Sequence, residues 1–108
     1  DAGLSGDFAR FVRAYAEDDA DLVAHAYRQV EADWVWRDAA SEGFAQLVRG
    51  SRRLRCAEHV QRFSARLLDG LLGCCEDRVS AWSEMSVPTL CARLGLRLAP
   101  LRGEHVGA

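Results

Sequence analysis

The chain has 108 residues, of which 49% are hydrophobic, and a formal net charge of −2 at pH 7. This length and apolar content suffice for one folded domain over residues 1–108 without support from metals or disulfides. No apolar run is long enough to cross a membrane, and no basic-then-apolar signal opens the chain. We therefore expect an intracellular protein, cytoplasmic or nuclear, and the start at Asp1 indicates a fragment of a longer chain.

All 14 basic residues are arginine, and lysine, isoleucine and asparagine are absent. The three missing residue types have AT-rich codons, so the composition indicates a GC-rich genome, such as that of a bacterium or a DNA virus. Residues 1–48 carry ten acids and four arginines, a net charge of −6, whereas residues 49–108 carry six acids and ten arginines, a net charge of +4. We expect acidic and basic segments to neutralise each other within the fold; the alternative is a basic surface for an acidic partner or a polyanion.

Apolar residues recur at helical spacing from the start of the chain. They predict a first helix over about residues 6–17 and a second over about residues 19–38. The apolar stripe of the second helix consists of Leu22, Val23, Ala26, Tyr27, Val30 and Trp34. The acidic run that precedes this stripe, from Glu17 to Asp21, is expected to end the first helix and to stabilise the N-terminus of the second.

Further helices are predicted in the second half of the chain. A short helix ends at Gly50, a long helix runs over about residues 51–72, and a last helix covers about residues 86–95 with Pro88 in its first turn. Residues 96–108 are expected to form a loose tail. Because no segment alternates convincingly like a strand, the sequence predicts an all-α fold, a compact bundle of five to six helices.

A line of basic residues on the long helix is the most informative feature of the chain. At 100° per residue, one face of this helix is basic, while another is apolar and carries Phe63 and Leu67. This basic ridge consists of Arg52, Arg55, His59, Arg62 and Arg66, with Arg49 and Arg53 beside it. We expect these residues to contact a partner. Trp36 lies away from the apolar stripe of its own helix, so we expect it either to dock against a neighbouring element or to anchor a partner.

The four cysteines, at positions 56, 74, 75 and 91, form no convincing metal site. Cys56 and His59 have Cys-x-x-His spacing but point to different faces of the predicted helix, and the adjacent Cys74 and Cys75 cannot easily both turn inward. The histidines are scattered, and no glycine-rich elbow or phosphate loop surrounds a serine or cysteine. The sequence therefore predicts no metal, no cofactor and no enzyme activity.

The stretch Ser86–Gly95, SVPTLCARLG, resembles the first helix and turn of helix-turn-helix proteins, in which a small residue and a Leu-Gly precede the turn. The resemblance implies that a second, recognition helix should follow directly. The residues that follow include Pro100 and Gly103, which disfavour a long helix. DNA reading by this segment is therefore not expected.

These features together predict a non-enzymatic protein–protein interaction module. Its partner is expected to be a second copy of the chain, or a helix or acidic segment of another protein, bound through the basic ridge with Trp36 as an apolar anchor. The alternative is nucleic-acid binding through phosphate contacts of the same arginines. The overall negative charge argues against that alternative.

Overall fold

The computed structural model describes residues 8–102, which form four helices and one three-stranded sheet. In chain order the elements are α1 (Phe8–Ala14), β1 (Leu22–Gln29), α2 (Glu42–Leu47), β2 (Leu54–Phe63), α3 (Ala65–Glu76), α4 (Ser83–Arg93) and β3 (Leu98–Pro100). The fold is mixed α/β. The prediction of an all-α bundle of five to six helices is therefore wrong.

The strands lie in the order β2-β1-β3, so β1 is central. It pairs antiparallel with β2 and parallel with β3. Two irregularities interrupt the antiparallel pairing: Ala24 alone opposes residues 58–61, and Ala26 and Tyr27 together oppose Cys56. Ala26 has a φ of 61°, the left-handed conformation found at some β-bulges. Bulges of this kind increase the local twist, so β2 does not run as a straight edge along β1.

β1 forms in place of the predicted second helix because its apolar residues pack against both faces of the sheet. Val23 packs with Phe11 and Tyr15 of the α1 side. Leu22 and Ala24 pack in the cluster on the opposite side. Successive side chains of a strand point to opposite faces, and a strand buried on both faces appears in the sequence as one apolar run. Such a run also fits a helical stripe, which is why the spacing indicated a helix.

Helices cover both faces of the sheet. α1 covers one face through the cluster that contains Phe11 and Val23. α3 and α4 cover the other face, where Leu67 and Cys91 pack against the β1 residues. A third cluster lies beside this layer and joins α2 to α4 around Phe44, Val48, Met85 and Leu90. The chain therefore builds a helix–sheet–helix arrangement around a narrow central sheet.

The predicted long helix over residues 51–72 is in fact β2 followed by α3, and Ser64 separates the two. Its hydroxyl accepts a hydrogen bond from the Leu67 N–H at 3.0 Å and caps α3. Its own backbone N–H donates to the Asp21 carbonyl at 2.8 Å. The chain thus leaves the sheet and enters a helix at this serine. The basic ridge and the apolar face opposite it are consequently not two faces of one helix.

Three other predicted helices are present in the structure, although their bounds differ from the predicted ones. α1 lies within the predicted first helix, and α2 lies just before Gly50, whose φ is 76°. Ser41 caps α2, because its hydroxyl accepts from the Phe44 N–H at 3.1 Å. α4 begins earlier than expected, so Pro88 lies inside the helix rather than in its first turn.

The predicted loose tail is wrong over its first part. β3 pairs with β1, and Leu101 is buried in the cluster on the α1 side. A strand therefore follows α4 where a helix-turn-helix protein would place its second helix. Residues 103–108 lie outside the described part of the chain.

Candidate functional site

The basic ridge predicted from the sequence is divided among three parts of the fold. Arg49, Arg52 and Arg53 lie between α2 and β2, Arg55, His59 and Arg62 belong to β2, and Arg66 lies in the first turn of α3. The side chain of His59 lies outside the described part of the structure. The predicted placement of these residues on a single helix face is therefore wrong.

Arg55 and Arg62 make internal contacts. The Arg55 guanidinium pairs with Glu31, with 3.0 Å between Nη2 and Oε2, and lies 4.9 Å from the centre of the Trp34 ring. Arg62 donates to two backbone carbonyls in the segment before β1, at 3.0 and 3.2 Å. Both side chains tie β2 to the residues that flank β1. Part of the donor set of each guanidinium is thus occupied within the fold.

Arg66 pairs with Asp21, whose side chain is only 2% exposed, at 3.1 Å between Nη2 and Oδ1. The same carboxylate accepts from the Arg97 backbone N–H at 2.9 Å and from the Ser64 hydroxyl at 2.6 Å. The pKa of Asp21 lies below its ordinary value of 3.8. The largest cause is the hydrogen bond from the Arg97 N–H, followed by that from the Ser64 hydroxyl; burial opposes them, and Arg66 lowers the pKa further. Asp21 was expected to stabilise a helix N-terminus. Instead it joins the start of β1 to α3 and to the segment before β3.

Arg53 reaches in the opposite direction, toward the segment between β1 and α2. Its Nη1 donates to the Arg37 carbonyl at 2.9 Å, and its guanidinium carbon lies 5.7 Å from the centre of the Phe44 ring. Four of the arginines predicted to bind a partner therefore have partners within the fold: Arg53, Arg55, Arg62 and Arg66. The expectation that acidic and basic segments neutralise each other is confirmed by pairs such as Glu31 with Arg55.

Arg49 and Arg52 differ, because both are exposed and neither has a side-chain hydrogen bond or ion pair among residues 8–102. Arg52 lines a cleft of about 260 Å³ together with Arg93 from the last turn of α4. Arg93 is likewise exposed and unpaired within this range. We call this feature the basic cleft; its other lining residues are Val48, Ser51, Thr89 and Ala92.

The lining of the basic cleft contains no carboxylate among the described residues. A second cleft, on the α1 side, also contains two arginines, Arg13 and Arg102, but there Glu17 and Asp18 line it as well. Two cations that face one cleft without a counter-charge create a positive potential that an anion would relieve. Sequence reasoning missed Arg93, because only the packing of α4 against β2 brings it beside Arg52.

Trp36 stacks on Trp82, with ring centroids 4.1 Å apart and planes inclined by 5°. Trp36 therefore docks against a neighbouring element, which was one of the two expectations for it. The pair is nevertheless at the surface, since Trp36 remains 40% exposed and Trp82 37% exposed. No sequence pattern linked the two residues, because both lie outside regular helices and strands.

The cysteines are free thiols. Burial raises the pKa of Cys56 and of Cys91 to about 11, so both stay protonated near neutral pH and are poor nucleophiles. Within residues 8–102, no group of three or more histidine, cysteine, aspartate or glutamate side chains is placed to hold a metal ion.

Comparisons with protein-family models, with curated protein sequences and with solved structures find no match for this chain. In the described range, no helix has the length and apolar character that a membrane crossing requires.

Proposed function

We propose that the chain is a non-enzymatic protein–protein interaction module that binds an acidic segment of another protein at the basic cleft. The observation that carries this proposal is the pairing of Arg52 with Arg93 in one cleft without a lining carboxylate. Arg49, three residues before Arg52 in the segment between α2 and β2, is another exposed arginine of this region. Arginine suits this role because its planar fork can bind a carboxylate with two hydrogen bonds.

The distribution of internal ion pairs supports the choice of this surface. Arg55, Arg66 and Arg97 pair with acids from the first half of the chain, so their charge is neutralised within the fold. Within residues 8–102, Arg52 and Arg93 have no ion pair or side-chain hydrogen bond. Mutual repulsion between these two cations would fall when a carboxylate enters between them, which favours binding.

An acidic protein segment fits better than a nucleic acid. The chain as a whole is negatively charged, and a nucleic acid would need several phosphate contacts in a row to overcome that repulsion. The basic cleft offers a small, concave site rather than a long basic groove. A short peptide with neighbouring glutamates can place one carboxylate in the cleft and a second near Arg49.

The test measures binding of a fluorescently labelled, glutamate-rich peptide by anisotropy. Charge reversal in the double variant Arg52→Glu/Arg93→Glu should weaken binding by roughly tenfold or more, because attraction becomes repulsion. The matched control is Arg10→Glu/Arg13→Glu, which makes the same charge change on α1, on the other side of the sheet. The control should retain most of the affinity, and both variants should keep the parent's circular dichroism spectrum.

Equal losses in the two double variants would contradict the proposal, because they would show an effect of net charge alone. A labelled DNA duplex provides the second comparison. Tighter binding of the duplex than of the peptide, with a steep loss of affinity as salt rises, would favour the nucleic-acid alternative instead.

A further inference from the structure

A second surface of the protein is aromatic and rigid. It consists of the stacked Trp36 and Trp82 and the neighbouring Val35, which is 76% exposed, and we call it the aromatic surface. Main-chain hydrogen bonds hold the two segments that carry the indoles together. The Trp82 N–H donates to the Ala39 carbonyl at 2.8 Å, and the Ser41 N–H donates to the Ser80 carbonyl at 2.7 Å. The pair is thus held in place before any partner arrives.

Carboxylates flank the aromatic surface. Glu84 accepts from the Trp82 indole N–H at 3.2 Å, and Glu58 accepts from the hydroxyl of Ser83, the residue after Trp82. Asp38 follows Trp36 by two residues and has a side chain that is 92% exposed. Two arginines also lie nearby: Arg37 pairs with Asp38, and Arg53 donates to the Arg37 carbonyl at 2.9 Å. The three carboxylates therefore outnumber these two positive charges.

We infer that the aromatic surface binds a basic segment of a partner protein, in which arginine or lysine side chains alternate with apolar ones. A cation gains from contact with the face of an indole, and nearby carboxylates add Coulomb attraction. An apolar neighbour in the same segment can cover Val35 and the indole edges. Exposed tryptophans in rigid positions are also the residues most enriched at the energetic centres of interfaces.

This inference is independent of the acidic partner proposed for the basic cleft. The two surfaces carry opposite charge and contribute no residue to each other. Anionic membranes and nucleic acids are disfavoured at the aromatic surface, because its carboxylates would repel their phosphates.

The test uses a blocked peptide in which arginine and leucine alternate, with binding measured by calorimetry. Trp36→Ala should weaken binding by roughly tenfold or more, as expected for an aromatic at the centre of an interface. Asp38→Asn should weaken it several-fold without touching the indole stack. The matched controls are Phe8→Ala, which removes an exposed aromatic on α1, and Asp69→Asn, which neutralises an exposed acid on α3; both should bind like the parent.

The inference is overturned if the peptide fails to bind the parent protein, if a version with glutamine in place of arginine binds as tightly, or if Trp36→Ala and Asp38→Asn both bind like the parent. Should Trp36→Ala melt far below the parent, the result with Asp38→Asn decides. Arg52→Glu/Arg93→Glu should leave this binding unchanged, so failure here and failure at the basic cleft are distinguishable.

Discussion

Thr89 of α4 provides the sharpest test of how the second half of the chain folds. Its hydroxyl accepts from the Leu54 N–H at 2.8 Å and donates to the Leu54 carbonyl at 2.9 Å. Thr89 is only 3% exposed, so these contacts lie in the interior. One side chain of a helix thereby satisfies both backbone groups of the first residue of β2. An apolar residue of the same shape at position 89 would leave both groups without a partner.

The cost of Thr89→Val follows from those two contacts. A buried polar group left unpaired costs about 1–3 kcal/mol. Leu54 is half-buried, so water can partly replace the hydroxyl, and the lower end of the range applies to each group. We expect a total loss of about 2–3 kcal/mol in the free energy of unfolding. For a domain of this size, that corresponds to a fall of roughly 10 °C or more in melting temperature.

The assay is urea unfolding followed by circular dichroism and tryptophan fluorescence, with Thr89→Ser as the matched control. Serine keeps the hydroxyl and removes one methyl group, so it should cost only about 1 kcal/mol. The denaturant slope should stay the same in both variants if only stability changes. Had residues 51–72 formed a helix, valine would be the better replacement, since it keeps the apolar surface. A valine variant at least as stable as the serine variant would therefore refute the assigned contact between α4 and β2.

Two further predictions concern α3 and the carboxylate beside its N-terminus. Leu67→Ala should lower the free energy of unfolding by about 2–5 kcal/mol, because Leu67 is fully buried. Leu68→Ala should change it by about 0.5 kcal/mol or less, because Leu68 is 53% exposed. Similar losses in the two variants would contradict the assigned buried face of α3. The lowered pKa of Asp21 means that its contribution to stability is complete well above pH 3.8 and is lost as the pH falls through 3.8 and then through the lower pKa of the folded state. Melting temperatures of the parent and of Asp21→Asn, measured from neutral to acidic pH, should therefore converge on acidification, and a constant difference would exclude Asp21 as the group responsible.

The helices α1, α2 and α4 could be predicted because local signals define them. Ser41 is a good N-cap and Gly50 a good stop, and both act within a few residues of the helix that they limit. The strands could not be predicted, because the positions of their apolar residues are determined by tertiary packing rather than by local signals. Val23 and Leu22 are both buried, but against helices on opposite sides of the sheet. A stripe at helical spacing cannot be distinguished from such a two-sided strand by periodicity alone.

The predicted placement of the basic ridge on one helix was wrong for a related reason. Arg55, Arg62 and Arg66 recur at the spacing of one helix face, yet Ser64 ends the strand between Arg62 and Arg66 and starts a new helix. Serine is common at exposed positions, so its capping role was not evident inside a long helical pattern. The predicted set did include Arg52, but its neighbour in the basic cleft, Arg93, is distant in the sequence. Trp82 is likewise distant in the sequence from Trp36, on which it stacks.

The charge pattern of the chain links the fold to both proposed surfaces. The acids of the first half pair with arginines of the second half across the sheet, as Asp21 does with Arg66 and Glu31 with Arg55. Such pairs reduce the polarity that the sequence suggested, since a buried or half-buried charge is stable only beside its partner. The charged residues outside these pairs are therefore informative. Within residues 8–102, Arg52 and Arg93 have no side-chain partner and line one cleft, whereas Asp38, paired with its neighbour Arg37, is almost fully exposed near the stacked indoles, so the two proposed binding surfaces carry opposite charge.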